Sequence, residues 1–289
     1  RAEALAAVED VIASGEYGLV PQFKNLWPAS SAKVAEKGDY ETLKGTYAGD
    51  GNKETILALK FTATQDYNGN NDSNRWQVML GMRQLNAAPY CKGWGALTVG
   101  EGITGSADFT TSFNDWREYT GYAVKKYAPL CYADGSHAGK QDGSGDFQTQ
   151  NRQDYVIIRY ADVLLMAAEL GSPNAQTYFD QVRKRAYQVD DNGTVSANYQ
   201  AKSVSQQAIM EERRLEFAFE SINYWDLLRQ GIDVAAEKLA LNGVKVKSGG
   251  ADDAITIRVD RVKATKGLSQ IPYNQINLSQ SVLVQNPGW

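Results

Sequence analysis

Apolar residues recur at helical spacing at both ends of a chain whose middle shows almost no helical period. Residues 1–14 put Leu5, Val8, Val11 and Ile12 on one face, predicting an amphipathic helix ended by Gly15. Glu54-Thr-Ile-Leu-Ala-Leu-Lys-Phe61 reads as a strand that runs into a polar loop. From Asp154 onward, Ile157, Ala161, Leu164, Leu165 and Ala168 predict a helix with one continuous buried face. Ser172-Pro173 signals the start of a second helix, which carries Val182 to Ala186. Ser203 is the expected cap of a third, running to about Phe219, and Gly231 closes a short helix after it. Beyond Leu241 the pattern turns to short strands and loops, with Pro272 and Pro287 keeping the tail extended. Residues 20–53 mix polar runs with Pro21 and Pro28. Residues 62–150 are rich in Gly, Asn, Asp, Ser and aromatics, which predicts long surface loops with a few short strands.

Composition narrows the function classes. The chain has 289 residues, 43% apolar and 22% charged, enough for a real core in one large domain or two. Its 30 basic and 34 acidic residues leave no excess for a nucleic-acid-binding face. No run of about 18 apolar residues offers a membrane-spanning helix. The 16 Tyr and 6 Trp against 8 Phe are more telling, because a flat apolar ring with a polar handle suits a half-wet binding surface.

Catalytic chemistry finds little to build on. His137 is the only histidine, and its setting, Asp134-Gly-Ser-His-Ala-Gly139, reads as a flexible surface loop. Cys91 and Cys131 match no metal or redox spacing; they are expected as two buried or half-buried thiols, with pairing left open. Asp66-Tyr-Asn68-Gly-Asn70-Asn-Asp72 resembles the first half of a calcium loop. Asn71 stands where such a loop needs glycine, and Gln77 where it needs glutamate, so a plain polar turn is the better reading. The remaining chemistry lies in rings interleaved with amides and charges: Tyr67, Asn68, Asn70, Trp76, Tyr90, Trp94, Trp116 and Arg117. Sugar C–H faces stack on indole and phenol rings, and sugar hydroxyls take amide, carboxylate or guanidinium partners. These eight residues are the candidate ligand set.

Several motifs follow in a fixed order. They are Arg159-Tyr-Ala-Asp162, Val182-Arg-Lys-Arg-Ala186, Glu211-Glu-Arg-Arg-Leu-Glu-Phe-Ala-Phe-Glu220 and Tyr224-Trp-Asp-Leu-Leu-Arg-Gln-Gly231. The tail adds Ile271-Pro272 and Gln285-Asn-Pro-Gly-Trp289. That order resembles the SusD/RagB family of outer-membrane nutrient-binding lipoproteins, well over residues 150–289 and in part before them. Glu54-Thr-Ile56 and Gly93-Trp94-Gly95 resemble further family elements.

The resemblance implies a mainly α fold with a tetratricopeptide-type helix-pair scaffold, a loop-rich ligand region and few short strands. Residues 1–20 would end the helical repeats, 21–150 form the variable ligand-binding region, and 151–289 the C-terminal helices and tail. It further implies that Glu212, Arg213, Arg214, Glu216 and Glu220 brace the helices and the Arg159–Asp162 segment. Trp225 and Asp226 would anchor helices to one another. The implied function is non-enzymatic and needs no cofactor: capture of an oligosaccharide, or alternatively an oligopeptide, for a SusC/RagA-like TonB-dependent β-barrel. The implied place is the cell surface, held to the outer membrane by a lipid anchor on a preceding segment. A tetratricopeptide-like protein-interaction scaffold is the competing class.

Overall fold

The computed structural model describes residues 1–64, 72–83, 86–95, 124–248, 251–280 and 282–289. These fall into two compact units, one formed by the described residues up to Glu220 and the other by Ser221–Trp289.

The first unit opens with α1 (Ala2–Ala13), after which Gly15 turns the chain at a φ of +66°. Two single-turn helices follow, α2 (Pro28–Ser31) and α3 (Tyr40–Leu43), and then β1 (Thr55–Leu59). α4 (Arg75–Leu80) lies in the stretch expected to be loop; Asn74 caps it by accepting the Trp76 N–H at 2.9 Å. β2 (Met82–Arg83) and β3 (Lys92–Gly93) form a two-residue parallel pair.

β4 (Tyr155–Arg159) occupies the first turn of the helix expected from Asp154. Val156, Ile157 and Ile158 are β-branched in succession, and they pair antiparallel with β1 through Leu57↔Ile158 and Ala58↔Val156. Ile157 is accordingly exposed rather than part of the buried helical face.

α5 (Tyr160–Leu170) is the centre of the helical layer, packing on α1, α6 (Ala175–Ala186) and α7 (Gln206–Glu216). Ala161, Leu164, Leu165 and Ala167 are wholly buried along it, and Gly171 ends it in the left-handed region at φ +90°. Burial of each leucine contributes about 1.5–3 kcal/mol. α6 begins two residues after the expected Ser172-Pro173 start. α7 is capped by Ser205, which accepts the Ala208 N–H at 3.1 Å, and not by Ser203.

A charge-balanced cluster ties this layer together at its base. Glu54, Glu216 and Glu220 face Lys126, Arg159 and Arg185, every side chain under one-tenth exposed. Arg159 bridges Glu54 at 2.8 Å, Glu216 at 2.5 Å and Glu220 at 2.9 Å. Arg185 holds Glu54 at 2.7 Å and also bonds Glu216, while Lys126 meets Glu220 at 2.7 Å. Aromatic rings cover the cations: Phe217 lies 4.3 Å from the Arg159 guanidinium, and Trp27 4.5 Å from the Lys126 ammonium. Burial pushes the Glu216 and Glu220 carboxyls upward, but the facing cations, Arg159 and Lys126 among them, hold both below the usual carboxylate range. Arg213 adds a separate pair to Asp162 at 2.5 Å, and Arg183 one to Glu212 at 3.3 Å. Arg213, Glu216 and Glu220 thus brace Arg159 and Asp162 as expected, while Glu212 braces α7 against Arg183 of α6.

The second unit carries α8 (Asn223–Arg229), α9 (Ile232–Leu239), the antiparallel hairpin of β5 (Leu241–Ser248) and β6 (Ala251–Ile257), α10 (Val259–Thr265) and α11 (Tyr273–Leu278). Gly231, at φ +109°, separates α8 from α9. Trp225 does not anchor helices here. It is 64% exposed and meets Tyr224 edge-on, while Asp226 is buried and paired with Arg229 at 2.8 Å.

The tail is not simply extended, since Pro272 opens α11. Its two motifs hold one another instead. The Gln285 side chain accepts the Ile271 N–H at 2.8 Å and donates to the Ile271 carbonyl at 2.9 Å. The Trp289 indole N–H donates to Leu268 at 2.9 Å under the Arg261 guanidinium. Gly288 is required there, because a Cβ would sit 2.8 Å from the Ala264 carbonyl.

Candidate functional site

Trp94 owes its position to two glycines. β2 and β3 approach so closely that a Cβ on Gly93 would lie 2.5 Å from the Val78 carbonyl oxygen and 2.6 Å from Gly81 Cα. The Trp94 N–H donates to that Val78 carbonyl at 2.7 Å, and the Gly95 N–H to Gly81 at 2.9 Å. Arg83 donates to the Trp94 carbonyl at 3.3 Å, and the Arg75 guanidinium lies 5.9 Å from the indole ring. The backbone of this Gly-Trp-Gly element is therefore fixed on both sides, and its half-buried ring is carried on a rigid base.

Alternation extends the surface around it. Tyr90, Lys92 and Trp94 are half-exposed, whereas Cys91 and Gly93 between them are buried, the period-two pattern of an extended segment. Three side chains at that period span about 13 Å. Tyr90 rests partly on the cluster of Leu43, Leu130 and Tyr132, with the Lys125 ammonium 5.7 Å from its ring. Lys92 lies 4.5 Å from the ring of Phe147, itself half-exposed. The result is a row of rings and cations that offers apolar faces and N–H donors together. Lys92, Phe147, Arg75 and Arg83 were not among the sequence candidates. The 90/92/94 spacing was a legible signal for Lys92; Phe147 comes from a distant loop that no local pattern points to.

Trp76 has a different setting. It lies on α4, its indole N–H donates to the Phe219 carbonyl at 3.1 Å, and its ring meets Tyr155 edge-on at 6.4 Å. It packs on the cluster of Trp27, Leu80 and Tyr127, so its polar handle is already committed to the scaffold. Tyr67, Asn68, Asn70, Trp116 and Arg117 lie outside the described residues.

His137 is buried at 6% exposure, not a surface residue. Its backbone pairs with Cys131 and Gly145, and its Nδ1 accepts the Gly139 N–H at 3.2 Å. Burial pulls its pKa down to about 4, leaving the ring neutral near pH 7. With that nitrogen occupied and the side chain enclosed, it has no general-base role toward a ligand in solvent. Among the described residues no three His, Cys, Asp or Glu side chains gather to hold a metal. Asp72, the described end of the calcium-like run, accepts from Thr62 and Thr64, and Gln77 bonds Gln153 at 3.0 Å inside the core.

A second concavity is an open groove lined by Asp50, Lys60, Thr62, Asp142, Arg152 and Asp154. Its charges are largely engaged within the chain: Lys60 pairs with Asp154, and Arg152 stacks 4.8 Å from the Tyr40 ring.

The SusD family model matches residues 40–289, which includes both this surface and the charge cluster. The chain belongs to the SusD family. SusD-like protein P2 of Formosa agariphila is 24% identical over 245 residues, covering 78% of this chain and 45% of that protein. SusD-like protein P25 of the same organism is 37% identical over 86 residues, 27% of this chain and 15% of that one. Among solved structures, surface glycan-binding protein A from Bacteroides thetaiotaomicron, in complex with laminarihexaose, superposes with a TM-score of 0.67 at 21% identity. That match covers 98% of this chain and 58% of the other. Surface glycan-binding protein A from Bacteroides fluxus gives 0.69 at 21% identity, with 99% and 57% covered. This SusD-family chain therefore spans about half the length of its relatives, with their fold. The mainly α architecture agrees with the sequence reading. Among the described residues no helix is long and apolar enough to cross a membrane.

Proposed function

We propose that this chain is the ligand-holding part of a cell-surface nutrient-binding protein that captures an oligosaccharide and passes it to a SusC-like TonB-dependent β-barrel. The observation that carries this reading is the Tyr90–Lys92–Trp94 row on its glycine-fixed base. Pyranose rings stack their C–H faces on Trp94 and Tyr90, and ring hydroxyls accept from Lys92, Arg75 and Arg83. The row is too long for a single sugar and suits an oligosaccharide. Binding involves no covalent step. Affinity is modest, because each hydroxyl exchanges a water partner for a protein one. Family membership supports the surface location, the lipid anchor and the transporter partner, and the glycan-binding names of the structural neighbours support the ligand class. Tyr67, Asn68, Asn70, Trp116 and Arg117 remain part of the proposed ligand set.

The test is calorimetric titration of the full protein with laminarihexaose and a panel of other oligosaccharides, beside a panel of short peptides. At least one oligosaccharide is expected to bind, and Trp94→Ala to weaken it about tenfold or more with the circular dichroism unchanged. Binding of peptides alone would replace the glycan by an oligopeptide. Binding of neither, with a soluble protein partner recovered from native membranes in place of a β-barrel, would leave the interaction scaffold.

A further inference from the structure

The open groove at the end of the β1–β4 pair shares no residue with the Tyr90–Lys92–Trp94 row. Pairing of Leu59 with Tyr155 sets residues 60–63 beside Arg152 and Asp154. Residues 139–142 complete the lining. Their turn is fastened by the Gly143 N–H, which donates to Lys140 at 2.9 Å, and by the Tyr132 hydroxyl, which donates to the Gln141 carbonyl. The groove holds about 630 Å³, within the range of roughly 300–1,000 Å³ usual for small-molecule sites.

Three cations, Lys60, Lys140 and Arg152, line it with three carboxylates, Asp50, Asp142 and Asp154. The chain holds several of these groups in place without using up their hydrogen-bonding capacity. Asp154 is buried and pairs with Lys60. Arg152 meets the Tyr40 ring at 4.8 Å, and no acceptor among the described residues takes its N–H groups. Asp50 and Asp142 are each engaged through Oδ1. Asp50 accepts the Tyr47 hydroxyl at 2.6 Å, and Asp142 accepts the Ser144 N–H at 2.9 Å and its hydroxyl at 2.7 Å. The half-buried Phe61 gives the groove an aromatic wall.

We propose that this groove is a second ligand site, separate from the Trp94 row, and that it takes a neutral oligosaccharide. Balanced charge decides against an ion: an anion meets three carboxylates here, and a cation three bases. A sugar hydroxyl donates and accepts at once, so neighbouring hydroxyls answer a carboxylate and a guanidinium together. Arg152 offers N–H groups to one hydroxyl, Asp50 and Asp142 accept from others, and the C–H face of the ring rests on Phe61. Side chains already held by Tyr40, Tyr47 and Ser144 lose little freedom when the ligand arrives, which favours binding.

The experiment titrates the whole protein with a panel of neutral gluco-, xylo- and manno-oligosaccharides, beside short charged peptides. Wild type and Trp94→Ala are compared with Arg152→Ala and Asp50→Asn, each alone and combined with Trp94→Ala. At least one oligosaccharide should bind, and Trp94→Ala should keep part of that binding. Each groove substitution should weaken the remainder about tenfold with the melting point unmoved. Asp50→Asn preserves shape, so it carries the test if loss of the Tyr40 contact makes Arg152→Ala unstable. Raising salt from about 50 to 500 mM should change the residual affinity less than about twofold, as a neutral ligand requires. Residual binding indifferent to both groove substitutions would overturn the site, as would no binding in Trp94→Ala or in wild type. Peptide binding in place of sugar, steeply salt-dependent and lost with Arg152→Ala, would overturn the ligand class. Sugar binding that ignores Trp94→Ala and falls with the groove substitutions would uphold this site and remove the Trp94 row.

Discussion

Glu216→Gln isolates the electrostatic part of the buried cluster. The Oε1 atom of Glu216 bonds both Arg159 and Arg185, while its Oε2 has no hydrogen-bond partner. A glutamine can keep its carbonyl oxygen at the first position and place its NH₂ at the second. Shape and the two acceptor bonds are then retained and only the charge is lost. The cluster changes from three acids against three bases to two against three, leaving one guanidinium uncompensated where water does not reach. Breaking a buried pair in this way costs about 3–5 kcal/mol. For a unit of this size that corresponds to a fall in Tm of roughly 10 °C. The assay is equilibrium urea unfolding of wild type, Glu216→Gln, Arg185→Gln and the double variant. The double variant restores charge balance, so its loss should fall short of the sum of the singles by on the order of 2 kcal/mol. Wild type carries a pH signature as well. The folded pKa of Glu216 lies below the unfolded value near 4.5, so this stability is present above that pH and lost as pH falls through the folded pKa. Glu216→Gln should flatten that acid limb. A cost under about 0.5 kcal/mol, or an additive cycle, would refute the charge-balance reasoning.

The aromatic candidates should separate cleanly. Trp76→Ala removes packing and the bond to Phe219 and should cost about 3 kcal/mol in urea unfolding, whereas Trp94→Ala should cost under about 1 kcal/mol and act on ligand affinity instead. Gly93→Ala forces a Cβ to within 2.5 Å of the Val78 carbonyl. It should destabilise by about 1–3 kcal/mol and weaken oligosaccharide binding through displacement of Trp94, measured by melting and calorimetry on the same sample. Glu212 has the opposite pH sign to Glu216: burial, with Glu216 adding, raises its pKa from 4.5 to about 7. Its contribution is whole below pH 4.5 and lost as pH rises through 7, so Glu212→Gln should remove a decline on the order of 2–3 kcal/mol over that window. A melting profile of equal slope in both proteins would contradict it.

The scaffold was legible because its elements are local or written in motifs. Gly15 and Gly171 take the left-handed conformations that end α1 and α5. The residues that signal the family turn out to be those that meet in the charge cluster and its satellite pairs. Glu54 comes from the Glu-x-Ile strand, Arg159 and Asp162 from one motif, Arg183 and Arg185 from the next, and Glu212, Arg213, Glu216 and Glu220 from the third. Structure departs from sequence pattern where local signals compete. Ile157 satisfied a helical period, yet three successive β-branched residues beside a partner strand favoured pairing, so the helix starts at Tyr160. His137 sits among glycines that read as flexible. Gly139 is there because a Cβ would lie 1.7 Å from the Gln150 carbonyl, a sign of close packing rather than freedom. Trp225 looked like an anchor from its motif alone and is exposed.

The same distinction explains why the proposed ligand surface is harder to read. A buried charge is constrained by every partner around it, so its motif carries the fold: losing one member of the cluster strands another in a dry interior. A stacking ring has no such constraint. Trp94 needs a rigid base, and the sequence records that base as Gly81 and Gly93, residues that do not themselves touch a ligand. Trp76, beside Asn74, Arg75 and Gln77, offers the ring-plus-amide pattern of a ligand residue at least as well as Trp94 between two glycines. What separates them is the Phe219 carbonyl, far along the chain, that takes one indole N–H, and the close strand pair that holds the other ring at the surface. The motifs therefore identify the scaffold, while the proposed ligand surface is built from residues placed by tertiary contacts. Exchanging Trp94 and its neighbours should change what is bound while leaving the charge cluster and the unfolding midpoint in place, whereas changes in the cluster should move the midpoint first.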